Sequence, residues 1–239
     1  MKSKNLHLNI DDVQLIQKHI EKDPEVVFVL KIDKILNSKH TINKQYTEPI
    51  NSLQQLLESK TEKHRTDKGT GHSYLNFYED VFKKYKDKPI KLLELGILNG
   101  CSLYLWDNYF TNKKTEIYGM DLKDNIYPEL QNSYSTRVKT LTGMNVYEEV
   151  EIPTEIKKKK WDVIIDDGSH HLEDQLIFVE IYKKYLNTPG VIIIEDVQGE
   201  NDLNQILTKF PDMKKIDLRH IKNRYDDILC VYFQEKLST

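Results

Sequence analysis

At 239 residues, with 35 basic side chains against 38 acidic ones and a formal net charge of −3, the chain has room for one large core and no global pull toward nucleic acid or an anionic membrane. Two cysteines far apart, Cys101 and Cys230, make neither a disulfide framework nor a zinc site and read as small buried hydrophobes. No stretch approaches the ~20 apolar residues of a membrane span, and the opening MKSKNLHLNIDD lacks an apolar signal core, so a soluble, cytoplasmic protein is expected.

The chain divides near residue 60. Residues 1–62 read as an N-terminal helical accessory segment: DDVQLIQKHIEK (11–22) and INSLQQLLESK (50–60) have helical spacing, while EVVFVLKIDKIL (25–36) suits strand or helix. Residues 63–239 alternate. Strands are predicted at IKLLELG (90–96), TEIYGMDL (115–122), RVKTLTG (137–143), WDVIIDD (161–167), GVIIIEDV (190–197), MKKIDLR (213–219) and ILCVYFQ (228–234). Helical periodicity in CSLYLWDNYF and LEDQLIFVEIYKKYL separates some of them. This is an α/β, Rossmann-like pattern with a mostly parallel sheet covered on both faces. The last two strands lie too close for a helical crossover and are expected to pair as an antiparallel hairpin at one edge.

Ligands of such sheets bind at the carboxyl ends of the strands, where strand order reverses. The first strand ends in ELGILNG, the second at Asp121, the fourth at Asp166 and Asp167, and the fifth at Glu195 and Asp196. One charged strand end reads as a cap; four in series point to a site. The Gly96 to Gly100 spacing is G-x-x-x-G, not the G-x-G-x-x-G of pyrophosphate loops, and no G-K-[ST] follows. A loop led by Glu94 suits a ligand with positive charge and no phosphate, and Asp121 has two oxygens for the hydroxyls of a ribose. Ribose plus cation indicates S-adenosylmethionine, with Glu94, Gly96, Asn99, Ser102 and Asp121 as binding candidates.

The segments TDKGTGHSYLNFYEDVF, LLELGILNGCSLYLWDNYF, IYGMDL, WDVIIDDGSHH and GVIIIEDV, in this order, resemble the class I S-adenosylmethionine-dependent methyltransferases, specifically the metal-dependent sugar O-methyltransferases related to the mycinamicin and rhamnosyl enzymes. The resemblance covers about residues 66–200. It implies a Mg²⁺ (or Mn²⁺) ion on Asp167 and Asp196, with His170 as the base. Glu195 resembles a third ligand position of the wider catechol-type enzymes. TDKGTGHSY (66–74) becomes a lid with Gly69 and Gly71 as hinge, from which Asp67, Lys68, His72 or Tyr74 reaches the methionine end or the acceptor; Lys68 and Tyr74 are taken as cofactor candidates, and Asp166 is expected to face the cofactor. His171 reads as an exposed helix start.

Chemistry agrees with that assignment. The sulfonium methyl is already activated, so an enzyme must mainly position the acceptor and remove its proton, and a hard cation on oxygen ligands lowers the pKa of a sugar hydroxyl. The expected partner is a sugar or glycan, with no nucleic acid and no membrane span; a homo-oligomer is left open. A nicotinamide oxidoreductase is disfavoured by the glycine spacing, and a metal-dependent glycosyltransferase by the lack of a sugar-nucleotide motif. A non-catalytic ligand-binding relative would leave Asp121, Asp167, His170 and Asp196 together without a purpose.

Overall fold

The computed structural model describes residues 52–235; the patterns at 11–22 and 25–36, and most of the expected accessory segment, lie outside the described residues. The strands are β1 (Lys91–Leu95), β2 (Glu116–Asp121), β3 (Val138–Thr142), β4 (Trp161–Asp166), β5 (Leu186–Ile194), β6 (Lys214–Asp217) and β7 (Ile228–Gln234). The described helices are α1 (Ser52–Glu58), α2 (Asp67–Thr70), α3 (Leu75–Phe82), α4 (Cys101–Tyr109), α5 (Pro128–Gln131), α6 (Thr154–Lys157), α7 (Leu172–Tyr182), α8 (Glu200–Lys209) and α9 (Arg219–Lys222).

The seven described strands form one sheet, ordered β3-β2-β1-β4-β5-β7-β6. The first five pair in parallel. β7 runs antiparallel to both β5 and β6, so the expected antiparallel pairing is present, with the final strand inserted inside the edge. β5 begins four residues before the predicted start, and its register with β4 shifts between Trp161 and Val163. Pro189 lies in that stretch and has no N–H to give the ladder, which explains why regular pairing resumes only at Val191.

Alternation along each buried strand sorts the side chains into two cores. Leu92, Ile117, Val163, Ile165, Val191 and Ile193 pack on one face with α1, α3 and α4. Leu93, Tyr118, Ile164, Ile192 and Ile194 pack on the other with α7 and α8. On the first face Tyr78, Phe82 and Trp106 form an aromatic wedge with ring centroids 5.0–5.2 Å apart, each pair adding about 0.5–1.5 kcal/mol beyond simple burial. This wedge fixes α3 and α4 against β1 and aims two polar tips, the Tyr78 hydroxyl and the Trp106 indole N–H, at carboxylates at the top of the sheet. Helix α1 shares the same core through Leu53 and Leu57, and Glu79 accepts from the Ser52 hydroxyl and the Leu53 amide at its start.

Candidate active site

The chain runs from β1 outward to β3 and then returns to place β4 beside β1, so strand order reverses between β1 and β4. A cavity of about 650 Å³ opens at their carboxyl ends, within the size range of small-molecule sites. The crevice is held tight by backbone hydrogen bonds between strand ends: the Asp167 amide donates to the Leu95 carbonyl at 2.8 Å, and the Gly96 amide to the Met120 carbonyl at 2.9 Å. Gly96 has φ +78°, and a Cβ there would lie 2.1 Å from the Asp167 carbonyl oxygen. Close backbone approach between β1 and β4, not phosphate contact, is what requires glycine at this position.

Gly96, Asn99, Ser102, Asp121, Asp167 and His170 all line the cavity. The Asp121 carboxylate accepts from three backbone amides: Ile97 at 2.8 Å and Leu98 at 2.9 Å on one oxygen, Lys123 at 2.9 Å on the other. It therefore moulds the loop after β1 while keeping acceptor capacity for a ligand hydroxyl. Asn99, just before the Gly100 N-cap of α4, accepts from the Cys101 amide at 3.1 Å.

Other expected residues sit below the cavity. Lys68 is fully buried, and its Nζ lies 2.6 Å from Asp167 Oδ2, 2.8 Å from Glu195 Oε1 and 3.1 Å from Glu94 Oε1. Strand parity explains the convergence: Glu94 follows Leu92, Asp167 follows Ile165 and Glu195 follows Ile193 by two residues, so all three acids project to the first core face. Glu94 also accepts from Trp106 Nε1 at 2.9 Å and Glu195 from the Tyr78 hydroxyl. Burial alone disfavours the ammonium, but the three acids more than offset it and hold Lys68 charged. Burial, with Asp196 adding repulsion, pushes the Glu195 carboxyl up to about 7 although Lys68 pulls it down. Lys68 and Glu94 thus pair with each other in place of lining the cavity.

Asp166 has the opposite parity. It is 2 % exposed, points to the second face and accepts from the Tyr147 hydroxyl at 2.7 Å. The expectation that it faces the cofactor does not match this orientation, because adjacent residues of an extended strand point to opposite faces. Tyr147 itself lines the cavity and also accepts from the Ser169 amide at 3.0 Å. It was not among the expected residues, and no local pattern sets it apart from the other 13 tyrosines.

Carboxylate oxygens of Asp167 and Asp196 and a ring nitrogen of His170 lie within 4.8 Å of one another. Asp196 accepts from the Tyr74 hydroxyl through Oδ1 and faces His170 Nε2 across 3.7 Å through Oδ2. Tyr74 thus buttresses an acid of this cluster. Burial lowers the His170 pKa, which leaves the imidazole neutral and able to accept a proton near neutral pH; its Nδ1 is buried with no hydrogen-bond partner among the described residues. His170 (φ 59°) and Asp196 (φ 52°) are both left-handed non-glycine residues, as is Leu98 (φ 42°) at the cavity mouth, a strained backbone of the kind that gathers at functional sites. Two carboxylates and a local excess of negative charge around the Lys68 ammonium suit a hard divalent cation, with the His170 imidazole beside them.

A second histidine lies behind this cluster. His72 Nδ1 is 2.7 Å from Asp227 Oδ1 and 3.3 Å from Asp196 Oδ1, and its ring stacks on Tyr74 at 4.7 Å. Burial disfavours the imidazolium, yet the Asp227 hydrogen bond and the Asp196 charge outweigh it and raise the His72 pKa. Asp227 precedes β7 as Asp167 follows β4, so a pair of acids against an apolar run was a signal for it.

No protein-family model matches the chain. In sequence it is similar to demethylmacrocin O-methyltransferase of Streptomyces fradiae (28 % identity over 151 residues, 59 % of this chain and 36 % of the relative). It is also similar to mycinamicin VI 2''-O-methyltransferase of Micromonospora griseorubida (25 % over 136 residues, 53 % and 32 %). The chain spans about a third of the length of these curated relatives. Among solved structures, the O-methyltransferase TomG from Streptomyces achromogenes, in complex with SAM, matches with TM-score 0.53 at 12 % identity, covering 85 % of this chain and 96 % of TomG. The chain has the class I methyltransferase fold. The mycinamycin-pathway methyltransferase MycE, solved with Mg, SAH and mycinamycin VI, shares this methyltransferase fold with TM-score 0.51 at 22 % identity over 61 % of this chain and 37 % of MycE. Among the described residues, no helix is long and apolar enough to cross a membrane.

Proposed function

We propose that the protein is an S-adenosylmethionine-dependent, divalent-metal-dependent O-methyltransferase that methylates a hydroxyl of a sugar or glycan. The observation that carries this reading is the meeting, on one crevice, of the Asp121 cavity with the Asp167, His170 and Asp196 cluster. The named activities of the sugar O-methyltransferases it resembles support the acceptor class. When bound, the cofactor supplies an activated methyl group and the cation a Lewis acid that acidifies and orients the acceptor hydroxyl.

The chain's residues do the rest. Asp121, fixed by three amides, takes the ribose hydroxyls. Asp167 and Asp196 hold the cation, Tyr74 keeps Asp196 aimed, and neutral His170 takes the acceptor proton as general base. Asn99 and Gly96 set the start of α4 and the gap between strand ends, which fixes the cavity floor.

Calorimetry against S-adenosylmethionine, NAD and a sugar nucleotide tests the cofactor class: saturable binding of the first alone is expected. Incubation with glycans, S-adenosylmethionine and Mg²⁺, followed by mass analysis for the gain of one methylene, tests the reaction. Chelator should abolish that product while leaving S-adenosylmethionine bound, because the cation serves the acceptor. Full turnover in excess chelator would remove the metal from the reading.

A further inference from the structure

The proposed chemistry gives Lys68 no task, yet the fold invests heavily in it. Its ammonium is fully buried among Glu94, Asp167 and Glu195. The helix that carries it, α2, is capped by Thr66, whose hydroxyl accepts from the Lys68 amide. The same turn is gripped from the far end of the chain by Lys222, whose Nζ donates to the carbonyls of Gly69 at 2.7 Å and His72 at 2.8 Å. The ammonium therefore has little freedom to leave.

Its effect falls on the two adjacent acids after β5. Glu195 is claimed by Lys68 and the Tyr78 hydroxyl, while Asp196 is left to Tyr74 and the His170 side of the cavity. Asp167 is shared: Oδ2 faces Lys68 at 2.6 Å, yet the side chain also lines the cavity. We propose that Lys68 is a positioning residue, a built-in cation that orients Asp167 and withholds Glu195 and Glu94 from the divalent-metal ligand set. The metal is then held by few protein oxygens, with coordination positions left for a vicinal diol of the acceptor. This inference rests on the metal-dependent reading above.

The test is Mn²⁺ binding by the full chain at constant pH, read by calorimetry or by electron paramagnetic resonance. With the ammonium gone, Glu195 is free to join Asp167 and Asp196 at the cation, so K68M should tighten Mn²⁺ binding about tenfold or more. K68R, which keeps the charge, should stay within about threefold of wild type. K68M/E195Q should lose most of the gain, because the freed Glu195 is its source. E195Q alone, which needs no buried charge left unpaired, should change Mn²⁺ affinity by less than about threefold. Unchanged or weaker binding by a folded K68M overturns the proposal, as does a tenfold loss in E195Q alone. Binding by K68M with none by wild type would end the metal-dependent reading and keep Lys68 as the cation that fills the acid cluster. Binding by neither would end both.

Discussion

Asp121 is a ligand group and a structural group at once. Its carboxylate gathers the amides of Ile97, Leu98 and Lys123, so Asp121→Ala should weaken S-adenosylmethionine binding by about 1.5–3 kcal/mol, the range for a lost hydrogen bond to a charged group, and also loosen the loop that follows β1. Calorimetry reads the first effect and amide exchange at residues 97 and 98 the second; wild-type affinity in a folded variant sinks the assignment. His170→Ala should lower kcat by about 10²–10⁴-fold, as expected for a positioned base, with Mn²⁺ affinity changed less than tenfold; loss of the metal with the activity would make His170 a ligand. Much of this site is legible residue by residue. The period of two that buries Leu92, Ile165 and Ile193 carries Glu94, Asp167 and Glu195 to the same face, and assigns Asp166 to the other. Lys68 as their common partner is not legible, because nothing near residue 68 signals acids that lie 26, 99 and 127 positions away. The division of labour between Glu195 and Asp196 depends on that lysine and is hidden with it.

The strands are the most legible elements, since short β-branched runs such as VII (163–165) and VIII (191–194) are bounded by charged or turn residues and are too short for helices. The segment TDKGTGHSY is where pattern misleads. Glycines among polar residues suggest a hinge, but residues 67–70 form a helical turn, and Gly71 has an ordinary helical φ of −83°. Gly69 is required for space: a Cβ there would lie 2.4 Å from Leu75 Cδ1 and 2.6 Å from Leu57 Cδ2. Between elements the sharpest prediction concerns Gly96→Ala. It combines a left-handed φ with a 2.1 Å approach to backbone oxygen, and backbone, unlike a side-chain tip, cannot swing aside. The cost should be at least about 2 kcal/mol, or roughly 4–8 °C in Tm for a chain of this size, with ligand affinity falling as the gap between β1 and β4 opens. A variant as stable as wild type in thermal melts would mean that these strand ends are not so closely apposed.

For the whole molecule, the sheet edge answers to pH in a way the crevice does not. On β6, the Arg219 hydrogen bond holds the Asp217 carboxyl well below the usual carboxylate range in spite of partial burial, with Lys215 assisting. A depressed folded-state pKa contributes stability above the unfolded carboxylate pKa of about 4, and that contribution is lost as pH falls below it. Asp217→Asn should therefore cost about 1 kcal/mol at neutral pH, the scale of a surface ion-pair network, and the gap to wild type should close in melts at acid pH; a constant gap would refute the linkage. Distance along the chain has another consequence. The Lys222 grip on the turn after α2 spans 150 or more positions, and the His72 to Asp227 bond spans 155. On a ribosome the chain emerges from its N-terminal end, so β1 to β4 are available for pairing while the TDKGTGHSY turn still lacks its clamp and the acids of β1 and β4 await the rest of their surroundings. The surroundings of the acid cluster are therefore completed only after residues 222 and 227 have been made. A nascent chain halted before residue 219 should resist protease along its first strands and yet bind no cofactor, acquiring that capacity only when α9 and β7 have emerged.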